Sequence, residues 1–544
     1  MKSRLRQVEG FMAANSTDDS SKRQARLVRF LQSPSSYPHH PIGVRVIQTH
    51  ISWVFMASPF VFKVKKPVNM GFLDFSTLEK RQYFCQRELE LNRRLCPEVY
   101  LAVMPIYESD AGFSFEDKEG EIAEYVVKMR ELPHGCFLGE LLAKGAVGEA
   151  EINRVISRLH QFYESENPTS EIEEWGRPER LRISTNENFE QAKPFVGKTT
   201  SSVALEAIRQ FTNNFYEANR RLFEERIQQR RIRDCHGDLH LDHIHLTPET
   251  VTIYDCIEFN DRFRFIDIAN DLAFLAMDFD FERQHKLGDL LLRNAALEFR
   301  DSGMLKLADF YKCYRALVRG KIESIQANSE KHAQRARRYF HLALRYATTG
   351  SEPLVLVVMG RVATGKTSVA KQLARELDWP LFCSDHIRKT LAGVPLTVRT
   401  PPELRDKVYS NQMTEKTYGK LVEKGLAAVT AHSGVVLDAT FSKRRRRDCL
   451  RDKCIEAGIR LQVIELEADR NAIARRLEER DENAAELSDA RLEDLENLSA
   501  AYKPPNELPT LIRVSSSGGI ANTVSAVLFH LADKQSSRRN GCAS

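Results

Sequence analysis

GRVATGKT, at Gly360–Thr367, is the stretch that decides the fold of the second half of this 544-residue chain. It fits the pattern G-x-x-x-x-G-K-[ST] without a mismatch, after the apolar run LVLVVM and before the helical pattern SVAKQLAREL. In that context, backbone N–H groups around the glycines and the helix N-terminus hold phosphates. Lys366 is predicted to reach the β- and γ-phosphates, and the Thr367 hydroxyl to bind Mg²⁺. The residues predicted to surround the nucleotide here are Gly360, Arg361, Val362, Ala363, Thr364, Gly365, Lys366 and Thr367.

Two charged residues follow the next predicted strand, PLFCSD. Asp385 and Arg388 are one helical turn apart, so their side chains can face the same space. Ligands of open α/β sheets bind at the C-terminal ends of the strands, where both residues fall. Asp385 is therefore predicted to take a proton from an acceptor hydroxyl, and Arg388 to hold a phosphate or steer the acceptor. The alternative is an ordinary aspartate in a first helical turn and an arginine on the surface.

Other charged residues of this half are assigned roles from their places in the predicted strands and helices. The apolar run VVLD ends in Asp438, which suits a Walker-B-like carboxylate near Mg²⁺. Arg475, Arg476 and Arg480 lie in the stretch IARRLEERD. A mobile helical lid that brings arginines over the phosphates has this pattern, and so does a solvated charged helix. The run Lys443–Arg447 is predicted to be a solvated helix start and not a nucleic-acid patch.

Composition limits the possible classes of protein. The length suggests two or three domains. The net charge of +5 is small for this length and gives no argument for a nucleic-acid or membrane-surface partner. No apolar run approaches the roughly 20 residues that span a bilayer, and the first residues lack the apolar core of a secretory signal. The 10 cysteines show no C-x-x-C pair, which favours reduced thiols and a cytoplasmic location.

The first half begins with β-type patterning. Residues 43–66 fit three antiparallel strands, and further strands are predicted around residues 99–107 and 121–132. A helix is predicted over Ser76–Leu95, since STLE is a capping-box signature and a proline follows the helix. After these elements the pattern is helical, with a polar insertion at residues 164–202.

A lysine on the third strand is predicted to pair with a glutamate on this helix. The strand FVFKVKK carries Lys63 and Lys65 on one side. At about 100° per residue, Glu88 falls on the apolar face of the helix. A buried glutamate facing a strand lysine matches the ion pair that positions the α- and β-phosphates in kinases. Lys63 is the favoured partner and Lys65 the alternative.

The stretch HGDLHLDHIH, at His236–His245, admits two interpretations. Four histidines in ten residues suggest a metal site, but no separated third partner is evident. A kinase catalytic loop needs an aspartate and, five positions later, a metal-binding residue. Asp238 supplies the first, and His243 stands where Asn is expected. Downstream, Asp255 is predicted to bind Mg²⁺, since it shares the otherwise apolar face of an assumed strand over residues 251–259.

Both halves resemble known kinase families. On GRVATGKT, SDHIRK and VVLDATF, residues 352–533 resemble P-loop kinases of the gluconate kinase, zeta-toxin and polynucleotide-kinase type. On HGDLH, YDCIEF and the Asp267–Asp271 stretch, residues 41–347 resemble the aminoglycoside phosphotransferase and choline-kinase-like family. The second resemblance implies that Asp238 orients or deprotonates the acceptor hydroxyl and that Asp255 binds Mg²⁺. It also implies that backbone groups near Met129–Pro133 hold adenine.

One residue departs from the family pattern. Imidazole is a poor ligand for Mg²⁺, so His243 implies altered metal binding in this half, or assistance from Asp242.

The sequence thus predicts an α+β two-lobed protein-kinase-like domain followed by an α/β P-loop NTPase domain with a parallel sheet. The whole chain resembles bacterial fusions of an aminoglycoside-phosphotransferase-like domain with a P-loop kinase. The predicted segments are a polar N-terminal segment at 1–40, the kinase-like domain at 41–347, a linker at 348–353, the P-loop domain at 354–533 and a disordered tail at 534–544.

Three functions fit these observations. The first is an ATP- and Mg²⁺-dependent phosphotransferase with two ATP sites, acting on hydroxyl groups of small molecules. In the second, only the P-loop half is an enzyme, and the kinase-like half is a nucleotide- or metabolite-binding regulatory module. The third, a nucleic-acid 5′-kinase, is disfavoured by the near-neutral charge and by the lack of interleaved basic and aromatic stretches. The sequence identifies neither the acceptors nor the oligomeric state.

Overall fold

The computed structural model describes residues 18–327, 329–396, 398–481, 489, 501–508 and 510–538, without the side chains of residues 18–20 and 479–481. The chain divides into two compact units. The first runs up to Pro168 and also contains Arg233–Ile266, and the second combines Thr169–Ile232 with the chain from Asp267 onward. None of the helices described has the length and apolar character needed to cross a membrane.

An antiparallel sheet of six strands dominates the first unit, in the order β1-β2-β3-β6-β4-β5. The three strands predicted within residues 43–66 are confirmed, and two of them bury Trp53, Phe55 and Phe62 in one core cluster. The strands are β1 (Arg45–Gln48), β2 (Ser52–Ala57), β3 (Phe60–Lys65), β4 (Tyr100–Ser109), β5 (Gly112–Ser114) and β6 (Glu121–Arg130).

Helix α1 (Asp18–Gln32) was not predicted. The composition of residues 1–40 predicts a polar segment, but Leu27, Leu31 and Tyr37 are buried in one cluster with aromatic residues of the sheet. Residues 1–17 lie outside the described part of the chain. The polar composition conceals the helix because its apolar residues occupy only one narrow face.

Helix α2 (Leu78–Arg93) packs on strands β4 and β6. Its N-cap is Thr77, whose hydroxyl accepts a hydrogen bond from the Lys80 N–H, so the predicted start at Ser76 is one residue early. Cys85 and Leu89 are buried with Glu88 on one face of the helix, as predicted from its periodicity. This packing holds Glu88 beneath the strands.

The remaining elements of the first unit flank the loop that contains His236-Gly237-Asp238, residues 235–243, which is called the HGD loop below. Helices α3 (Leu138–Ala143) and α4 (Glu149–Ser165) precede strand β7 (Ile232–Asp234). After the loop, β8 (Ile244–Leu246) and β9 (Val251–Ile253) pair as an antiparallel hairpin, and β10 (Phe265–Asp267) ends the segment. The prediction of a strand over residues 251–259 is wrong, because β9 ends at Ile253 and the backbone turns.

The second unit begins with a helical region. The polar insertion predicted at residues 164–202 contains two of its helices, in which polar surface positions had obscured the periodicity. The helices of this region are α5 (Ser170–Glu174), α6 (Pro178–Ala192), α7 (Ser202–Ala218), α8 (Arg220–Gln228), α9 (Ile268–Phe281), α10 (His285–Glu298), α11 (Gly303–Ile325) and α12 (Glu330–Thr348).

The rest of the second unit is a five-stranded sheet with helices, and the predicted parallel sheet is confirmed. Its order is β12-β13-β11-β14-β15, and every pair is parallel. Strand β11 is buried over its whole length, as expected for a central strand covered on both faces. The strands are β11 (Leu354–Gly360), β12 (Leu381–Cys383), β13 (Gly434–Asp438), β14 (Arg460–Glu467) and β15 (Ile512–Ser515).

Seven described helices accompany this sheet. They are α13 (Lys366–Leu377), α14 (Ser384–Ala392), α15 (Pro402–Val408), α16 (Asn411–His432), α17 (Arg444–Glu456), α18 (Arg470–Asp481) and α19 (Ile520–Ser536). Helix α19 packs against α7 and α12. The predicted disordered tail at 534–544 therefore begins too early, since the chain is helical up to Ser536, whereas residues 539–544 lie outside the described chain.

Candidate active sites

The loop Gly360–Thr367 joins β11 to α13 in a conformation that needs its glycines. Gly360 has a φ of 146° and Gly365 a φ of 87°. A Cβ atom on Gly360 would lie 2.4 Å from the carbonyl oxygen of Leu466 on the neighbouring strand β14. Because a left-handed backbone and a close strand meet at Gly360, only glycine fits there without displacement.

The predicted Mg²⁺ ligands of this loop lie together. The Thr367 hydroxyl donates a hydrogen bond of 2.6 Å to Asp438 Oδ2 at the end of β13. A hydroxyl and a carboxylate are oxygen donors of the kind that Mg²⁺ prefers, so the residues fit this ion. Lys366 Nζ donates a 2.6 Å bond to the carbonyl oxygen of Arg361 in its own loop. The ammonium group therefore lies beside the backbone that is predicted to hold the phosphates.

A cavity of about 540 Å³ opens beside this loop, and Asp385 and Arg388 both line it. Its volume falls in the range of small-molecule sites. Burial and the negative charge of Asp438 raise the pKa of Asp385. A carboxylate with a raised pKa is a stronger base than an ordinary aspartate. The other lining residues include Lys366, Thr367, Cys383, Arg405, Tyr409, Thr414, Tyr418, Asp438, Arg446 and Asp489.

Arg388 is not a surface arginine, so that alternative for this residue is wrong. It is 6% exposed, and Nη1 donates hydrogen bonds to the carbonyl oxygen of Val408 at 3.1 Å and to Thr414 Oγ1 at 2.9 Å. The guanidinium lies 4.9 Å from the centroid of the Tyr409 ring. Its Nε atom is buried without a hydrogen-bond partner in the protein.

The arginines of α18 differ from one another. Arg476 Nη1 donates a hydrogen bond of 3.3 Å to the carbonyl oxygen of Ala363, and Nη2 one of 2.6 Å to that of Ser516. Arg476 therefore touches the phosphate-binding loop, whereas Arg475 is exposed. The side chain of Arg480 lies outside the described part of the structure.

The basic run Lys443–Arg447 does begin a helix, but the prediction that it is solvated is wrong at two positions. Arg447 is 3% exposed and pairs with Glu507 at 2.5 Å. Arg446 has a 9% exposed side chain, pairs with Glu415 at 3.0 Å and lines the cavity. Sequence reasoning missed Arg446 because nothing in five consecutive basic residues distinguishes the one that faces inward.

Two lysines and three carboxylates form an ionic cluster in the first unit. Lys63 Nζ lies 2.8 Å from Glu88 Oε1 and 2.6 Å from Asp255 Oδ1. Lys65 Nζ lies 2.6 Å from Glu88 Oε2 and also pairs with Glu258. Glu88 thus contacts both the favoured lysine and the alternative. Sequence reasoning missed Glu258, because the assumed strand placed it on the face opposite to Asp255.

The members of this cluster differ in exposure. The side chains of Glu88 and Lys65 are 0% and 1% exposed, whereas those of Lys63 and Asp255 are 12% and 36% exposed. Burial raises the pKa of Glu88, but the ammonium groups of the two lysines outweigh burial and hold that pKa below its usual range. Burial also raises the pKa of Asp255, and Lys63 and His243 reverse the effect. Lys63 and Asp255 are therefore the members that a ligand can reach.

Asp255 reaches this cluster from a turn and not from a strand. Its φ is 65°, a left-handed value, and its N–H donates a 3.3 Å hydrogen bond to the Tyr100 hydroxyl. The next N–H, of Cys256, donates a 2.9 Å bond to Asn92 Oδ1 on α2. Sequence reasoning missed Asn92, although its position four residues after Glu88 marks it as a second polar residue on the buried face of α2.

The HGD loop brings Asp238 and His243 towards Asp255. His243 Nδ1 lies 2.9 Å from the backbone carbonyl oxygen of Asp238, and it donates the hydrogen bond because a carbonyl only accepts. His243 Nε2 lies 3.5 Å from Asp255 Oδ2. Burial and the neighbouring His240 lower the pKa of His243 to about 4.

His240 completes a group of side chains that are close enough to share a metal ion. The ligand atoms of Asp238, His240 and His243 all lie within 4.8 Å of one another. However, His240 Nδ1 accepts a 3.3 Å hydrogen bond from the Asp242 N–H, so the neutral ring carries its proton on Nε2. That nitrogen lies 3.6 Å from Asp238 Oδ2, where it suits a donor to the carboxylate better than a metal ligand.

Asp242 and Asp267, two further residues singled out from the sequence, do not point into the site formed by Asp238, His243 and Asp255. The side chain of Asp242 is exposed, and a Cβ on Gly139 would lie 3.1 Å from its Oδ1, so it points towards α3. Asp267 caps α9 by accepting a hydrogen bond from the Ala269 N–H, and both its oxygens bind Arg226. Its contacts are those of a structural residue.

Comparisons with known proteins match a different family model to each half of the chain. The model of the phosphotransferase enzyme family matches residues 109–308, and that of an AAA domain matches residues 355–505. Uncharacterised proteins of Mycobacterium tuberculosis (Rv2004c) and Mycobacterium bovis (Mb2027c) are each 30% identical over 418 residues, which cover 76% of this chain and 82% of the relative. The chain belongs to the family of these proteins, in which an aminoglycoside-phosphotransferase-type kinase region precedes a P-loop kinase domain.

Solved structures were also found for about a third of the chain. A gluconokinase from Sinorhizobium meliloti 1021 is 21% identical, with 34% of this chain and 95% of that chain covered and a TM-score of 0.25. A shikimate kinase from Aquifex aeolicus is 14% identical, with 33% and 97% covered and a TM-score of 0.22.

Proposed function

We propose that this protein is an ATP-dependent phosphotransferase with two ATP sites, each acting on a hydroxyl group of a small molecule. That the chain carries two kinase-type domains follows from its family. The number of working sites, the nucleotide, the acceptors and the residue roles are the proposal. The observation that carries it is the cavity of about 540 Å³, in which Lys366, Thr367, Asp438 and Asp385 all face one space.

In the P-loop half, each residue has a defined part in the transfer. The loop N–H groups and Lys366 bind the phosphates, and Arg476 holds the loop from the side of Ala363. Thr367 and Asp438 would hold Mg²⁺, which would neutralise charge on the phosphates. Asp385 takes the proton as the acceptor oxygen bonds to the γ-phosphorus. The bond from that phosphorus to the β–γ bridging oxygen breaks, and ADP leaves.

Arg388 is proposed to position the acceptor. Its buried guanidinium lines the same cavity as Asp385, with the Nε donor unpaired. An acceptor with an anionic group in this cavity would be attracted by the charge of the guanidinium. The role of Arg480 in this site stays a sequence prediction.

In the kinase-like half, Lys63 is proposed to bind the α- and β-phosphates while Glu88 holds it in place. Asp238 is proposed to orient or deprotonate the acceptor hydroxyl, and Asp255 and His243 to bind a divalent cation. The support is the ion pair of 2.8 Å between Lys63 and Glu88. Lys63 also contacts the carboxylate of Asp255, whose side chain is about one-third exposed. The hinge near Met129–Pro133 is proposed to hold adenine.

One assay tests both sites. ATP consumption and phosphorylated product are measured over a panel of sugars, aminoglycosides, amino alcohols and oligonucleotides. The wild type is compared with Lys366→Ala, Asp385→Asn and Asp238→Asn. Loss of a general base lowers the rate roughly 10²- to 10⁴-fold, so each aspartate variant is expected to lose that much on its own acceptor and little on the other. Lys371→Ala, exposed on the same helix as Lys366, and Asp242→Asn, exposed in the HGD loop, are matched controls.

The outcomes separate the candidate functions. Losses on different acceptors for Lys366→Ala and Asp238→Asn support two transfer sites. If Lys366→Ala abolishes all product and Asp238→Asn changes nothing, the kinase-like half is a regulatory module and the two-site proposal is wrong. If only oligonucleotides are phosphorylated, the acceptor class is wrong.

A further inference from the structure

We infer that the metal bound in the kinase-like half is a first-row transition-metal dication such as Mn²⁺, and that His243 Nε2 is one of its ligands. The P-loop half, by contrast, offers oxygen donors that suit Mg²⁺. This inference rests on the proposed nucleotide site of the kinase-like half, and it assigns different metals to the two halves of one chain.

The His243 ring turns its Nε2 atom towards Asp255. Its Nδ1 donates to the backbone carbonyl of Asp238 at 2.9 Å, which fixes the ring and leaves the lone pair of the neutral imidazole on Nε2. That Nε2 lies 3.5 Å from Asp255 Oδ2. The nitrogen and the carboxylate oxygen therefore face one space, in which a single cation can contact both.

The distance between His243 Nε2 and Asp255 Oδ2 suits two ligands of one metal ion. Ligand atoms that are each about 2.1 Å from one ion lie roughly 3.0–3.5 Å apart in octahedral or tetrahedral sites. The observed separation of 3.5 Å is at the upper end of that range. The side chains of His243 and Asp255 are 13% and 36% exposed, so the pair is fixed by its surroundings and still open on one side.

The donor atoms of His243 and Asp255 favour a transition metal over Mg²⁺. Imidazole nitrogen is favoured by transition metals, whereas Mg²⁺ is bound mainly by carboxylate, phosphate and water oxygens. One nitrogen beside carboxylate oxygen therefore shifts the preference from Mg²⁺ towards Mn²⁺ and later metals. In the P-loop half, the Thr367 hydroxyl and Asp438 both offer oxygen, so they keep the preference for Mg²⁺.

The carbonyl of Asp238 acts on the metal site through His243. A metal-bound histidine commonly donates its second ring N–H to a carbonyl or carboxylate, which fixes the ring and raises its basicity. The bond from His243 Nδ1 to that carbonyl has this form. His240 has the opposite tautomer and is left as a hydrogen-bond donor beside Asp238.

The test uses full-length protein with ¹⁵N-labelled histidine, Mn²⁺ and a non-hydrolysable ATP analogue. Pulsed electron paramagnetic resonance detects ¹⁵N coupling only when a histidine nitrogen binds the Mn²⁺. We expect this coupling in the wild type and its loss in His243→Asn, which restores an amide oxygen. His134→Asn, at an exposed histidine of the same unit, is the matched control and is expected to keep it. In competition titrations, the preference for Mn²⁺ over Mg²⁺ is expected to fall at least 10-fold in His243→Asn only.

Each result decides the question. Mn²⁺ bound without ¹⁵N coupling, or an unchanged Mn²⁺-to-Mg²⁺ ratio in His243→Asn, overturns the inference. Transfer is scored separately. Coupling without any Asp238-dependent product leaves the metal assignment intact and rejects the phosphotransferase function of this half. Asp238-dependent product with Mg²⁺ and no coupling rejects the metal assignment alone.

Discussion

At the scale of single residues, Lys63 and Lys65 differ in exposure and in their other partners, although both contact Glu88. Lys65 is enclosed between Glu88 and Glu258, whereas Lys63 faces Asp255 and is partly exposed. The sequence places both lysines on one side of the same strand, with Lys63 as the favoured partner of Glu88 and Lys65 as the alternative. Only the depth of each ammonium group in the folded unit separates a structural lysine from one that can meet a nucleotide.

Substituting each lysine tests this division. Lys65→Met leaves the buried carboxylate of Glu258 without its cation, although Glu88 keeps Lys63, so we expect a loss of about 3–5 kcal/mol in stability. Lys63→Met leaves Lys65 on Glu88, so a smaller loss of stability is expected, with at least 10-fold weaker binding of an ATP analogue. Thermal unfolding and analogue binding are measured in a Lys366→Ala background, which removes the second nucleotide site. Equal destabilisation by both variants, or unchanged binding in Lys63→Met, would contradict the division.

At the scale of elements, the phosphate-binding loop depends on how closely β11 and β14 approach. The backbone of Gly360 is left-handed, and the carbonyl of Leu466 occupies the position of a side chain. The G-x-x-x-x-G-K-[ST] pattern marks this glycine correctly, but the strand that makes it necessary lies about a hundred residues later in the sequence. The motif and the sheet therefore constrain the same residue independently.

Gly360→Ala is expected to weaken nucleotide binding in the P-loop half at least 10-fold and to lower the unfolding temperature. The added Cβ would lie 2.4 Å from the Leu466 oxygen, so either the loop or β14 must move. Gly393→Ala is the matched control, because Gly393 also has a positive φ, of 70°, but no atom lies within 4 Å of the added Cβ. That variant is expected to cost only about 1–2 kcal/mol and to bind nucleotide normally. Similar effects of both variants would show that strand contact is unimportant.

At the scale of the whole molecule, the second compact unit joins the helical region and the P-loop domain. Helix α19 packs against α7, and Gln535 donates a 3.0 Å hydrogen bond to Asp309 of α11. The linker predicted at residues 348–353 runs inside this unit. The two compact units of the fold therefore do not coincide with the two regions that the family models match.

A buried carboxylate ties four helices of this unit together. Asp280 of α9 binds Lys312 of α11 at 2.9 Å, His285 of α10 at 2.9 Å and Tyr346 of α12 at 2.6 Å. Burial raises the pKa of Asp280, but these partners, Lys312 above all, outweigh burial and hold it well below the usual value. The stability that Asp280 contributes is therefore complete above its unfolded pKa of about 3.9 and is lost as the pH falls towards its folded pKa.

Asp280→Asn is expected to destabilise this unit by about 3–5 kcal/mol at pH 7, because Lys312 loses its carboxylate. The difference from the wild type should stay constant down to about pH 4 and shrink below it. Unfolding temperatures measured between pH 7 and pH 3 check this. Asp289→Asn, at an exposed pair on α10, is the control and should change little at any pH. A difference that grows on acidification would show that Asp280 is not ionised in the folded protein.

By itself, the sequence determined the phosphate-binding loop, the parallel sheet around it, and a lysine–glutamate pair beneath the first sheet. Each of these features depends on the backbone preferences of single residues or on a short repeat of apolar residues. Residues that are close together in the sequence encode both. Tertiary structure alone decided that Arg388, Arg446 and Arg447 are buried and that Glu258 joins the lysine cluster. It also brought Lys63 within 2.6 Å of Asp255, 192 residues away. Packing fixes such contacts, because the energy of a buried charge depends on which distant groups surround it and not on its neighbours in sequence.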